Sequence, residues 1–166
     1  MKDIEVYDNF LSLEDHKKIV NEMAETGNFP WYTQALVADD SFDGNVNDNL
    51  EFIHMFYRDY SISSNYFHLI QPIVSMINPI ALIRIRAAFS MRREYNKANA
   101  YHIDYENCTT AIYYVNTNNG QTIFQNDKKI DSVANRLVVF DSNLIHTGTF
   151  CTDSRYRCLI NFNYFE

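Results

Sequence analysis

From residue 80 onward the hydrophobic pattern of this chain changes period, and that change constrains the fold more than any other feature. Short runs in which apolar and polar residues alternate, each ended by Asn, Asp or Gly, mark β-strands, because successive side chains of a strand point to opposite faces. The alternation predicts strands near 80–89, 101–103, 109–115, 121–124, 129–133, 136–140, 147–150 and 156–164. About eight short strands with tight connections suggest a barrel or a double-sheet jelly roll. Before residue 80 the period is helical. Residues 13–26 form an amphipathic pattern with Ser12 as N-cap, Asp15 in the first turn and Gly27 beyond the last, and residues 65–77 form a second. The expected architecture is mainly β, α+β by content, in one domain spanning 1–166: helical support over 1–79, packed on one face of a β core over 80–166.

Composition agrees with a packed core. The chain is 46% hydrophobic and 15% aromatic, with four Gly and three Pro, which favours a β-rich globule over disorder. Its formal charge of −7 argues against nucleic acid as a partner, since a basic surface normally supplies that affinity. Cys108, Cys151 and Cys158 are an odd number without a CxxC spacing and read as reduced thiols. No apolar run reaches the ~20 residues of a membrane span, so the expectation is a soluble cytoplasmic protein with no membrane partner.

Polar residues with chemical potential are sparse and fall in the β half. His102 and Asp104 are two apart and His146 stands alone before Thr147-Gly148. In or beside a strand, residues i and i+2 share a face, so His102 and Asp104 can reach one cation, and His146 can face them across a narrow barrel. Two imidazoles and a carboxylate suit a mononuclear non-haem Fe(II) site; they also suit Zn²⁺ with a water in the fourth position. The His-x-Asp triplet alone is weak, since the composition gives about 0.4 such triplets by chance. His16, His54 and His68 read as surface or core residues. The last strand adds a second signal: Arg157, Leu159, Asn161 and Asn163 on one face, Cys158, Ile160, Phe162 and Tyr164 on the other. If the apolar face packs on the helices, the polar face lines a cavity, and Arg157 or Arg155 offers a planar fork to a carboxylate.

Together these stretches resemble the 2-oxoglutarate- and Fe(II)-dependent dioxygenases of the prolyl 4-hydroxylase type, including small bacteriophage-encoded members. The resemblance is carried by Tyr101-His102-Ile103-Asp104, by Thr110 to Asn116 with its double tyrosine, by Asn119 to Phe124, by Ser132 to Phe140, by His146, and by Arg157 to Tyr164; Asp8 to Ser12 is similar to the approach to the family's first helix. It implies a double-stranded β-helix with His102, Asp104 and His146 as metal ligands. Arg157 is implied as partner of the distal carboxylate of 2-oxoglutarate, Tyr114 as a hydrogen-bond donor to it, and Thr110 and Ile112 as pocket lining. Arg155 is the alternative cation, at a slightly shorter spacing from His146. The implied cofactors are Fe(II), 2-oxoglutarate and O₂, and the implied reaction releases succinate and CO₂ while a substrate is hydroxylated. Phe89-Ser90-Met91 stands where relatives often carry Tyr-Pro, a departure that bears on the substrate.

The substrate is less legible. A prolyl residue in a protein or peptide is the nearest family activity. The final strand lacks the two arginines, six apart, of the nucleobase-demethylase branch. Residues 29–49, with Trp31-Tyr32, form either a lid over the site or a surface excursion. Arg84, Arg86, Arg92, Arg93 and Lys97 read as a solvated face, with attraction of an anionic substrate as the other reading. A zinc hydrolase on the same ligands and a non-catalytic module that binds 2-oxoglutarate remain as alternatives. A phage-encoded chain would work in the host cytoplasm.

Overall fold

The computed structural model describes residues 3–35 and 50–166. In chain order the elements are β1 (Glu5–Tyr7), α1 (Leu13–Val20), a π-helical turn (Asn21–Glu25), β2 (Tyr32–Ala35), β3 (Leu50–Arg58), β4 (Ser61–Ile62), α2 (Phe67–Ile77), β5 (Ala81–Met91), β6 (Thr109–Tyr114), β7 (Gln121–Phe124), β8 (Lys129–Asp131), β9 (Arg136–Asp141), β10 (His146–Gly148) and β11 (Tyr156–Phe165). No helix among the described residues is long and apolar enough to cross a membrane.

Among the described residues, the major sheet runs β1-β9-β6-β11-β5-β3-β2, with β4 paired to β3, and a minor sheet runs β10-β7-β8. Every pairing is antiparallel. The minor sheet covers one face of the major sheet; the helices cover the other. Two cores result. The outer one joins Ile19, Met23, Ile70 and Ile73 to Cys158, Ile160, Phe162 and Tyr164 of β11. The inner one, between the sheets, gathers Ile112, Tyr114, Phe124, Ile130, Val138 and Phe140. This is the expected jelly roll with helices on one face.

Several local expectations hold. The Ser12 hydroxyl accepts from the Asp15 N–H at 3.1 Å and caps α1. Gly27 takes φ +71° just past the helical run, the left-handed conformation that glycine adopts without a Cβ penalty. Other expectations need correction. The first helix does not continue as α to residue 26: Thr26 N–H reaches Asn21 O at 3.0 Å, an i→i+5 bond that opens the last turn into a π-turn. Residues 101–103 are not a strand; they make an isolated bridge between His102 and His146 before a turn through Asn107, at φ +57°. The part before residue 80 is not only helical support, because β1 pairs with β9 and β3 pairs with β5. β3 alternates Phe52, His54 and Phe56 with Glu51, Ile53 and Met55, so one face joins the outer aromatic cluster and the other looks inward. Cys108, Cys151 and Cys158 form no disulfide.

Candidate functional site

The inner face of the major sheet is where the polar residues collect. Register aligns Ser90 with Arg157, Arg86 with Asn161 and Arg84 with Asn163 across β5 and β11, then Asn161 with Ile112 and Asn163 with Thr110 across β11 and β6. One set of facing side chains therefore spans three strands. β3 adds Glu51, Ile53 and Met55 at its edge.

His102 and His146 are brought together by main-chain bonds, His102 N–H to His146 O at 2.9 Å and His146 N–H to His102 O at 3.0 Å. Their ring centroids stand 4.9 Å apart. Each Nδ1 sits at hydrogen-bond distance from a carbonyl two residues earlier, Ala100 O at 3.1 Å for His102 and Leu144 O at 2.9 Å for His146. A carbonyl only accepts, so each ring carries a proton on Nδ1, and the neutral form leaves Nε2 as the nitrogen able to ligate. His146 is buried against Phe124 and Phe140, and its burial lowers its pKa. His102 lies at the open rim with about half its side chain exposed.

Asp104 completes the group. Its Oδ1 is 4.0 Å from His102 Nε2 and accepts from Arg84 Nη2 at 2.9 Å, while Oδ2 accepts from Asn161 Nδ2 at 2.6 Å. Burial alone would raise its pKa; the Arg84 charge and the Asn161 hydrogen bond outweigh it and hold the carboxyl at about 2. The carboxylate is thus ionised and oriented, and a relay Thr110–Asn163–Arg84 braces it from behind. The three side chains share one corner of the barrel, yet among the described residues no three His, Cys, Asp or Glu side chains are grouped closely enough to hold a metal ion as they stand.

Arg157 lies further inside and is 7% exposed. Its Nε donates to Ser132 Oγ at 2.9 Å and Nη2 to Thr122 Oγ1 at 3.4 Å; Thr122 shares a 2.7 Å bond with Tyr114 OH, and the guanidinium carbon is 5.8 Å from the Tyr114 ring centroid. No carboxylate among the described residues forms an ion pair with it. Burial without such a partner lowers its pKa. Two glycines make its berth: a Cβ on Gly120 would stand 2.5 Å from Arg157 Cδ, and one on Gly148 would stand 3.3 Å from Nη1. Arg155, by contrast, is exposed and precedes β11, which removes it as the interior cation. Thr110 and Ile112 are buried on the same face of β6 as Tyr114.

Sequence reasoning missed Ser132, Thr122, Gly120 and Gly148 around Arg157, and also Arg84, Arg86 and Glu51. The basic stretch is not a uniformly solvated face: Arg84 clamps Asp104, and Arg86 Nη2 lies 3.7 Å from Glu51 Oε2 on the inner wall. Glu51 faces Arg86 on that wall, and its burial raises its pKa against the pull of the Arg86 and Arg157 charges. The signal available in the sequence was spacing, since Arg84 and Arg86 alternate with Ile85 and Ala87, the pattern of a strand with one polar wall. Of the proposed lid, residues 36–49 lie outside the described residues. Trp31 is packed rather than free, donating Nε1–H to Met23 O at 3.1 Å and lying tilted against the rings of Phe29 and Phe89.

No protein-family model matches the sequence and no curated protein matches it. Solved structures do match. A prolyl hydroxylase from Trichoplax adhaerens, in complex with a hypoxia inducible factor oxygen degradation domain peptide, superposes with TM-score 0.68 at 18% identity, over 98% of this chain and 83% of that one. The viral collagen prolyl hydroxylase of Paramecium Bursaria Chlorella virus-1, in its 2-oxoglutarate complex, gives 0.59 at 14% identity over 98% and 94%. The epimerase SnoN, in complex with Fe³⁺, α-ketoglutarate and nogalamycin RO, gives 0.69 at 9% identity over 98% and 78%. The fold is the double-stranded β-helix of the 2-oxoglutarate- and Fe(II)-dependent oxygenases. Within the oxygenase fold, the inner wall of the major sheet and the facing minor sheet form the space where Arg157, Asp104 and the two histidines lie.

Proposed function

We propose that the chain is an Fe(II)- and 2-oxoglutarate-dependent oxygenase in which His102, Asp104 and His146 hold the metal and Arg157 holds the distal carboxylate of 2-oxoglutarate. The observation that carries the reading is the pair of imidazoles, each with Nδ1 spent on a carbonyl and Nε2 left as the nitrogen able to ligate, facing an ionised carboxylate in one corner of the barrel. Two neutral imidazoles and one carboxylate on a single side are the donor set of a non-haem Fe(II) site and leave coordination positions open. The residues around Arg157 fit the co-substrate: a buried cation with hydroxyl neighbours and no acidic partner among the described residues suits a carboxylate arriving from outside.

When bound, iron and 2-oxoglutarate supply oxidative decarboxylation of the diacid with O₂ and an oxidant able to take hydrogen from a C–H bond. The chain's own residues have narrower tasks. Arg157 and Tyr114 position the diacid. Ile112, with Leu159 beside it on the inner face, excludes water from its stem, and Arg84 with Asn161 fixes the rotamer of Asp104. No side chain is required as general acid or base. The leading substrate is a prolyl residue of a protein or peptide. A zinc hydrolase on the same ligands would leave the buried guanidinium of Arg157 with nothing to hold.

Anaerobic addition of Fe(II) and 2-oxoglutarate tests the reading. The expected result is a weak metal-to-ligand charge-transfer absorption, then succinate when air is admitted, both lost in His102→Ala with the fold retained. Folded, metal-loaded protein that gives neither signal overturns the proposal; binding of 2-oxoglutarate without succinate release makes the chain a non-catalytic module.

A further inference from the structure

The oxygen that Asp104 offers to His102 is already bound to a cation. Oδ1, the atom 4.0 Å from His102 Nε2, is the one that accepts from Arg84 Nη2 at 2.9 Å. Arg84 is itself held. Its Nε donates to Asn163 Oδ1 at 3.1 Å, Asn163 Nδ2 donates to Thr110 Oγ1 at 3.1 Å, and the guanidinium carbon lies over the Tyr105 ring, 5.1 Å from its centroid. Both charged side chains are largely covered, Arg84 at 16% and Asp104 at 6% exposure, so salt and water screen the pair little. The other oxygen, Oδ2, is oriented separately by Asn161 Nδ2 at 2.6 Å.

We infer that Arg84 is a built-in competitor of the metal: it takes the cation's place on Asp104 when no ion is bound and weakens the ion's hold when one is, so that the chain exchanges its iron rather than retaining it. The inference rests on the oxygenase reading of the site and adds how firmly that site is loaded. A divalent ion drawing on Oδ1 shares that oxygen with a full positive charge kept in place by Asn163 and Tyr105, and like charges in a poorly hydrated corner repel strongly. The usual part of a hydrogen-bonded neighbour of a metal ligand is the opposite, to orient the ligand and raise its affinity. Orientation here does not need Arg84, because the Asn161 bond to Oδ2 stands without it. His102 points the same way: its side chain is half exposed at the rim, and its Nδ1 meets a backbone carbonyl instead of a carboxylate that would make it a stronger donor. Without metal, the Arg84 pair stabilises the chain, since a buried carboxylate left unpaired is costly.

Metal affinity, read without turnover, tests the inference. The full chain, stripped of metal, is titrated with Mn(II) as a redox-inert stand-in for Fe(II), and the free ion is counted by its EPR signal. Melting with and without Mn(II), and release of the bound ion to EDTA, are followed on the same samples. In Arg84→Met the expected result is binding tighter by about tenfold or more, slower release to EDTA, and a lower melting temperature without metal that Mn(II) restores. Arg84→Lys, which keeps the charge, should bind as the parent does. If Arg84→Met does not fold without metal, Arg84→Gln, which keeps a donor for Asp104, takes its place with the same expected gain. Equal or weaker binding in the folded, charge-free variant overturns the inference and leaves Arg84 a brace for Asp104. The oxygenase reading survives that outcome when the parent binds Mn(II) and Asp104→Ala does not. Absence of Mn(II) binding in parent and variants alike removes the metal site, and the inference falls with it.

Discussion

The two faces of β11 are both largely buried and chemically opposite. Cys158, Ile160, Phe162 and Tyr164 are within 2% of full burial, and on the reverse side Arg157, Asn161 and Asn163 are at 7% or less. The outer face meets hydrocarbon from α1 and α2 and holds the fold together. The inner face meets hydroxyls, amides and charges from β5, β6 and the minor sheet, and it holds groups in place. Burial therefore does not separate core from site in this molecule; what the buried atoms are paired with does. An outer-face side chain loses dispersion contacts and apolar burial when cut back, whereas a charged inner-face side chain carries a desolvation cost that the fold bears for another purpose.

The sharpest break of this comparison is on the outer face. Phe162→Ala opens a cavity among Ile19, Ile70 and Ile73 and is expected to cost about 3–5 kcal/mol of stability, read as a lowered urea midpoint. Molecules that remain folded should keep their iron and 2-oxoglutarate chemistry. On the inner face the signature reverses. Arg157→Met removes a buried cation that has no carboxylate partner among the described residues, so stability is expected to be equal or higher. Affinity for 2-oxoglutarate should fall by roughly 30- to 5,000-fold, the loss of a buried charge-assisted contact worth about 2–5 kcal/mol. Isothermal titration and chemical denaturation on the same samples separate the two quantities. An Arg157→Met protein that unfolds more easily yet binds the diacid normally would merge the faces into one core.

How far the sequence reveals this division follows from how each face is written in it. β11 reads clearly because polar and apolar residues alternate over ten positions, and its neighbours β6 and β9 are apolar enough to be recognised as buried strands. The convergence of His102 with His146 is anticipated by type and order, though the reason given for it fails: a single main-chain bridge rather than a strand at 101–103 sets the two rings together. β3 escapes because its outer face is built from Phe52, His54 and Phe56, and a histidine between aromatics does not look like core until Pro30 O and Ser64 Oγ are seen to satisfy its two nitrogens at 2.8 and 2.7 Å. Arg84 and Arg86 are misread for a related reason. In an antiparallel strand with one wet face, alternating arginines mark the solvent side. In a closed double sheet the polar side turns inward, and only the opposing minor sheet, which no local pattern encodes, reveals that. The berth of Arg157 is invisible on the same grounds, since Gly120, Ser132 and Gly148 meet only in three dimensions.

The smallest expected effect sharpens the outer face instead of breaking it. His16 of α1 lies against Tyr113 of β6, with Nδ1 at 2.7 Å from the phenol oxygen, and Tyr113 passes its own proton to Asn135 Oδ1 at 3.0 Å. The phenol therefore accepts from a neutral His16 that donates through Nδ1. Burial lowers the His16 pKa, so the unfolded chain takes up the proton first as pH falls through about 6.5. Stability is present in full above that value, declines below it, and stops declining once the folded protein is protonated as well. His16→Gln keeps a donor for the phenol and removes the titration. Thermal melts at pH 7.5 and 5.5 should show a smaller drop in Tm for His16→Gln than for the parent chain, reduced rather than abolished because burial also holds down His54 on the same face and His146 within. An unchanged drop would mean that the helix interface does not respond to acid and that the pH sensitivity of this fold lies in the site.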